Sequence, residues 1–239
     1  MGRGYSPLPV RRRSLGAVPE KELLPELIRR AELHEPKRVI ETLEPFVSDE
    51  RREKLRSTLL KRLESVTVLF DAPHDPHNGA AVIRSAEAFG VQSIHVVERR
   101  ETFLSAVTVS RSAEKWIDVK THPTSKSAID LLAQQKMTLV GAHPNGKLLP
   151  SDLNQIPRLA IVLGNERDGI AEELSAACHE FVKVPMRGFI ESLNVSVTAA
   201  ILLHEATKER KGDLPPSEFE RLYARGLYFT VQRADEILA

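Results

Sequence analysis

The sequence predicts an α/β fold: a mainly parallel sheet flanked by helices, with a helical arm before it and one helix after it. Two observations carry this. From Val66 onward, short apolar runs alternate with helical stretches, joined by turn residues. Strand and helix in repeated alternation imply parallel strands linked by crossover helices. Before Val66 and after Leu214 the apolar spacing is helical instead.

The elements follow in order. The first 18 residues, with glycines, prolines and the triplet Arg11–Arg13, read as a flexible tail. From Pro19 the pattern turns helical: Leu23, Leu24, Leu27, Ile28 and Leu33 recur at i, i+4 spacings, and Leu55, Leu59 and Leu63 continue them. Ser48-Asp49-Glu50 before Arg51 is a helix start, with acidic residues at the positive end of the helix dipole. Strands are expected at Val66–Phe70, Ser93–Val97, Met137–Ala142, Leu159–Leu163 and Phe181–Val184. Helices are expected at Ala80–Phe89, Ser127–Gln135, Gly169–Ala176 and Val195–Glu209. After Pro215-Pro216, a last helix runs through Phe219, Leu222, Tyr223, Leu227, Val231 and Ile237. The expected layout is a tail and helical extension over 1–47, a basic helix over 48–65, the α/β core over 66–210, and a C-terminal helical extension over 211–239.

A chain of 239 residues, 41% hydrophobic, can bury one large core without a disulfide or metal staple. The single cysteine, Cys178, excludes a disulfide within the chain and fits a reducing compartment. No run approaches the roughly 18 apolar residues of a membrane span. The arginine-rich start lacks the apolar core of a secretory signal. A soluble, cytoplasmic protein is the expectation. Net charge is +1, yet residues 1–65 hold 15 Lys/Arg against 11 Asp/Glu, and residues 66–206 hold 13 against 16. The basic excess includes Arg51, Arg52, Lys54, Arg56, Lys61 and Arg62. This is either the electrostatic footprint for a nucleic acid or a solvated helix face.

Three loops carry candidate chemistry. The first follows strand Val66–Phe70 and runs Asp71-Ala72-Pro73-His74-Asp75-Pro76-His77-Asn78-Gly79 into a helical stretch containing Arg84. Loops at strand carboxyl ends are where open α/β sheets bind ligands. An arginine in an otherwise apolar helix calls for an anionic or hydrogen-bonding partner, unless it is a surface residue of an amphipathic helix. His74 and His77 have a metal-like i, i+3 spacing, but no further ligands accompany them, so no metal is expected. The second loop is Gly164-Asn165-Glu166-Arg167-Asp168-Gly169, whose glycines let a ligand approach the backbone; it lacks the P-loop spacing. The third runs from Val184-Pro185-Met186 to Ser192-Leu193-Asn194-Val195-Ser196, where Ser192 or Asn194 caps a helix. Helix N-termini also offer free N–H groups to ligands.

Taken together the three loops resemble the motifs of the SpoU family of RNA ribose 2′-O-methyltransferases, in the SPOUT superfamily. Asn78-Gly79-Ala80-Ala81-Val82-Ile83-Arg84 through Gly90 is similar to the first motif. Leu163-Gly164-Asn165-Glu166 with Gly169-Ile170 is similar to the second, and Val184-Pro185-Met186 with Ser192–Val197 to the third. Asp75-Pro76-His77-Asn78, Ser112-Ala113-Glu114-Lys115-Trp116 and the basic helix Glu50–Leu63 further resemble the TrmH type, the tRNA guanosine-18 branch. Asn165 departs from that branch, which often has alanine there. Residues 1–47 lie outside the resemblance.

The resemblance implies a C-terminal trefoil knot, against the general rule that chains avoid knots. It implies methyl transfer from S-adenosyl-L-methionine to the ribose 2′-OH of a guanosine in the tRNA D-loop, position 18, by a homodimer. Methylation of ribosomal RNA, or a non-catalytic RNA-binding relative, is the alternative; an unrelated hydrolase or metal enzyme built on His74, Asp75 and His77 is a third. The implied catalytic residues are Arg84, Asn78, Glu166, Ser192 and Asn194. Those implied for the cofactor are Ala142, His143, Leu163, Gly164, Val184, Met186, Ser192 and Leu193. RNA contacts are assigned to Arg51, Arg52, Lys54, Arg56, Lys61, Arg62 and Lys115.

Overall fold

A computed structural model describes residues 24–73, 75–98, 113–165 and 167–239. Six strands form one parallel sheet in the order β3-β2-β1-β5-β4-β6. They are β1 (Leu63–Asp71), β2 (Val91–Val97), β3 (Asp118–His122), β4 (Thr138–Ala142), β5 (Leu159–Leu163) and β6 (Glu180–Val182). The helices are α1 (Leu24–Ala31), α2 (Pro36–Leu43), α3 (Asp49–Leu59), α4 (Pro76–Ala88), α5 (Ser125–Gln134), α6 (Glu172–Ala177), α7 (Val195–Thr207), α8 (Pro216–Thr230) and α9 (Ala234–Leu238). No described helix is long and apolar enough to cross a membrane.

Five strands stand where the apolar runs place them, with shifted ends. The sixth, β3, has no such run: Asp-Val-Lys-Thr-His is polar because it lies at the sheet edge beside β2, where only part of the strand is covered. The central strand β1 is buried on both faces, as parallel sheets require. Val66, Val68 and Phe70 meet Val82, Ile83 and Ala86 of α4 and Leu202, Leu203 and Ala206 of α7. Leu69 on the other face joins Ala160, Val162, Leu132 of α5 and Leu174 of α6.

The N-terminal arm and the C-terminal helix, expected as separate appendages, pack together. Val39 and Leu43 of α2 and Leu55 and Leu59 of α3 share a second core with Leu222, Tyr223 and Leu227 of α8. Ser48 caps α3 as expected, its hydroxyl accepting from the Arg51 N–H at 3.3 Å. The helix then ends at Leu59, short of the expected 65. Leu63 belongs to β1, where its N–H donates to the Gly90 carbonyl at 2.7 Å.

That early ending changes the place of Arg62, expected on an outer cationic face. It is 2% exposed and cannot touch RNA. Its Nε donates to Gln92 Oε1 at 2.9 Å, Nη1 to Glu87 Oε1 at 3.2 Å, and Nη2 to the Val91 and Trp116 carbonyls at 3.1 and 2.7 Å. The side chain ties the helical layer to β2 and the segment before β3.

Between β2 and β3, His95 Nδ1 lies 2.9 Å from His122 Nε2, and the rings stack with centroids 5.1 Å apart. Burial, reinforced by the charges of Lys120 and His122, pushes the His95 imidazole down to about 3.

Two stability outcomes follow from these groups. Replacing Arg62 with leucine should cost about 3–5 kcal/mol, because Glu87 and two carbonyls lose their buried cation; urea denaturation reads the loss. His95 is neutral when folded and titrates near 6.5 when unfolded, so its contribution is complete above that pH and drains away as pH falls toward 3. Unfolding free energies from urea titrations at pH 7.5 and pH 5 should differ by about 2 kcal/mol from this residue, the lower value at pH 5.

Candidate active site

Because all strands run one way, the loops after β1, β4, β5 and β6 emerge at the same edge of the sheet. There the loops after β4, β5 and β6 enclose a cleft of about 550 Å³, within the roughly 300–1,000 Å³ of small-molecule sites. Ala142, His143, Leu163, Gly164, Val184, Met186, Ser192 and Leu193 all line it, as do Asn194, Glu191 and Thr198. Glu191 and Thr198 were not singled out in the sequence, since nothing in their spacing marks them.

The second loop is shaped by close backbone approach. A Cβ at Gly164 would lie 2.2 Å from the Gly169 carbonyl carbon and 2.4 Å from the Ile170 nitrogen, so a side chain there has no room. Gly169 adopts φ +71°, the left-handed region where glycine is unstrained. Asn165 and Gly169 exchange backbone hydrogen bonds of 3.1 and 3.2 Å. The Asn165 Oδ1 also accepts from the Arg167 and Asp168 N–H groups at 2.9 and 2.8 Å, which gives this asparagine a structural role in the turn. The loop is moored to β1 through Asp71, fully buried, whose Oδ2 accepts from the Ala171 N–H at 2.7 Å.

The first and third loops meet through two asparagines. Asn194 is the N-cap of α7: its Oδ1 accepts from the Ser196 N–H and hydroxyl at 2.8 and 2.6 Å. Its Nδ2 donates to Asn78 Oδ1 at 3.0 Å. Asn78 lies in the first turn of α4, whose N-cap Asp75 accepts from the His77 N–H at 2.8 Å. The N-termini of α4 and α7 are thus joined by one side-chain bond.

Arg84 sits further along α4, exposed and outside the lining of the cleft. Among the described residues it makes no hydrogen bond or ion pair, so its cation is open to an anionic ligand. Glu166 and His74 lie outside the described residues. Among the described residues no group of three or more side chains could hold a metal ion.

Of the basic residues on the helical layer, Arg51, Lys54 and Lys61 are exposed. Arg52 pairs with Asp49. Arg56 bonds Glu44 at 2.7 Å and stacks 4.6 Å above the Tyr223 ring. The Lys115 ammonium stands 5.9 Å over the Phe229 ring.

The cleft suits a cofactor with both apolar and polar parts: Leu163, Val184 and Leu193 give apolar wall, and the bare backbone at Gly164 forms a cradle that a Cβ would fill. A profile of the SpoU rRNA methylase family matches residues 65–204, which span all three loops. The tRNA (guanosine(18)-2′-O)-methyltransferase of Escherichia coli is 33% identical over 191 residues, covering 74% of this chain and 82% of its own. The crystal structure of the TrmH/SpoU tRNA-modifying enzyme of A. aeolicus shares the fold, with a TM-score of 0.66 at 21% identity over 77% of this chain and 98% of that one. The SpoU methyltransferase AviRb of Streptomyces viridochromogenes, crystallised with the cofactor AdoMet, gives a TM-score of 0.57 at 26% identity over 62% of this chain and 60% of that one.

Proposed function

The chain belongs to the SpoU methylase family, and from that premise we propose that it transfers a methyl group from S-adenosyl-L-methionine to the ribose 2′-OH of guanosine 18 in the tRNA D-loop. The observation that carries the reading is the cleft shared by the second and third loops, to whose Asn194 the first loop is joined by the Asn78–Asn194 bond.

When bound, S-adenosylmethionine supplies a methyl group already activated on a sulfonium. The chain therefore has to align the ribose oxygen and favour its alkoxide character. Gly164 and its neighbours hold the cofactor through backbone groups and apolar contact. The Asn78–Asn194 pair fixes the amide that faces the ribose. Arg84 acts as a cation that stabilises charge developing on the 2′-oxygen, and the RNA phosphate takes the proton. Ser192 and Glu166 complete the site. Arg51, Lys54 and Lys61 contact phosphates, with Arg52, Arg56 and Lys115 as supporting cations. The segment 66–206 carries more acid than base, so the RNA is drawn to the helical layer.

We also infer a trefoil knot, a homodimer and a cytoplasmic location. The knot is supported by the pairing of the β4–β5 connection with β6 and its exit: the Leu148 N–H donates to Phe181 O and the Lys183 N–H to Leu148 O, each at 3.0 Å. The dimer is supported by an exposed apolar group beside the cleft, Phe189, Ile190 and Val197.

Incubation with labelled S-adenosylmethionine and undermodified tRNA, followed by nucleotide mapping, should place the label on the ribose of guanosine 18. Label on ribosomal RNA alone would instead favour the target in the family's description. Arg84→Ala should lower turnover by three or more orders of magnitude with cofactor affinity retained; a near-normal rate removes Arg84 from the chemistry. Sedimentation should give twice the chain mass of 26.7 kDa, and a fully active monomer would overturn the dimer.

A further inference from the structure

The reaction proposed above needs the first loop, with Asn78, and the second, with Gly164, held in one relation. Asp71 belongs to both loops. Its backbone ends β1 and opens the first loop, which leads to Asn78 in α4. Its side chain reaches the second loop, where Oδ2 accepts from the Ala171 N–H at 2.7 Å, 100 positions away in sequence.

Packing does not ask for an acid at this place. Asp71 is fully buried, and so are the apolar residues before it, Val68, Leu69 and Phe70. An apolar side chain would fill the space without the cost of burying a polar group. The residue that Asp71 holds stands next to the cleft: Gly169 and Ile170, immediately before Ala171, line it. These two have no slack against the other limb of their loop, since a Cβ at Gly164 would lie 2.4 Å from the Ile170 nitrogen and 2.6 Å from the Gly169 carbonyl oxygen. A shift at Ala171 is therefore passed on to Gly164 rather than absorbed. The chain on the other side of Asp71 is constrained as well. Ala72 has φ +43°, a conformation that residues with a Cβ rarely adopt, and its N–H donates to the Val97 carbonyl at 3.0 Å. Backbone of this kind persists only where surrounding contacts hold it, and it gathers at functional sites.

We propose that Asp71 is a positioning residue for methyl transfer: its bond to Ala171 fixes the second loop's wall of the cleft against the root of the first loop. The proposal rests on the methyltransferase reading above and adds to it a residue outside the lining of the cleft. Misplacing reacting groups by about 1 Å can cost about a hundredfold in rate, even when the altered residue is remote from the chemistry.

Two variants separate the hydrogen bond from packing. Asp71→Asn keeps an oxygen that can accept from Ala171, and Asp71→Ala keeps none. Methylation kinetics with tRNA are read per folded molecule, with the folded fraction taken from far-UV circular dichroism at the assay temperature. Asp71→Ala should lower kcat about a hundredfold. It should also raise KM for S-adenosylmethionine about tenfold, with tRNA affinity unchanged. Asp71→Asn should stay within about fivefold of the unaltered protein in both constants. If Asp71→Ala does not fold, Asp71→Ser takes its place, because its hydroxyl stops one bond short of the Ala171 N–H. Losses that vanish once corrected for folded fraction, or equal losses in the alanine and asparagine variants, overturn the proposal. If Asp71→Ala methylates tRNA at the full rate of the unaltered protein, the positioning role fails and the enzymatic reading stands. If the unaltered protein transfers no methyl group to any RNA, both fall.

Discussion

Every strand of this sheet points the same way, and most of what the molecule can do follows from that. Parallel strands cannot be joined by tight hairpins, so each connection must cross back over a face of the sheet. The carboxyl ends then lie along one edge, where loops separated by scores of residues become neighbours. Asp71 turns that edge into a fixed frame: buried at the end of β1, it accepts from the Ala171 N–H and holds the loop of Gly164 and Gly169 against the central strand. The cleft borrows its shape from the sheet.

The opposite chemistry occupies the other layer. Three helices bring exposed cations and an apolar underside, and the underside packs on α8 as a core of its own. Arg62 fastens this unit to β2 and the segment before β3 by hydrogen bonds to Gln92, Val91 and Trp116, and to α4 through Glu87. A tie of that kind is orienting as well as binding, because a planar guanidinium accepts few alternative geometries. The cleft and the cationic face are thereby held in one relation.

How much of this was legible in the sequence varied by element. Buried strands announced themselves as apolar runs, and β3 did not, because an edge strand needs few apolar residues. The helical spacing of Leu55 and Leu59 ran on into Leu63, which hid the point where α3 stops and β1 begins; Arg62 was misplaced with it. The cleft residues were readable through motif resemblance, and the structure gathers all eight at one place. The Asn78–Asn194 bond and the Asp71 mooring were not readable. They depend on side-chain geometry between residues 116 and 100 positions apart, for which local sequence carries no signal.

The packing of α2 and α3 against α8 also bears on how the chain reaches this state. The two early helices leave the ribosome some 160 residues before the helix they pack on. Arg38 likewise waits for the Leu238 carbonyl, 200 positions downstream. Through most of synthesis, Val39, Leu43 and Leu55 have no partner surface, while the sheet beyond them can assemble strand by strand. Contacts of such long sequence separation form late, after loop closure has been achieved. The cationic layer is therefore the last part of the molecule to become ordered, and a nascent chain presents its apolar underside to chaperones before its charged face is assembled.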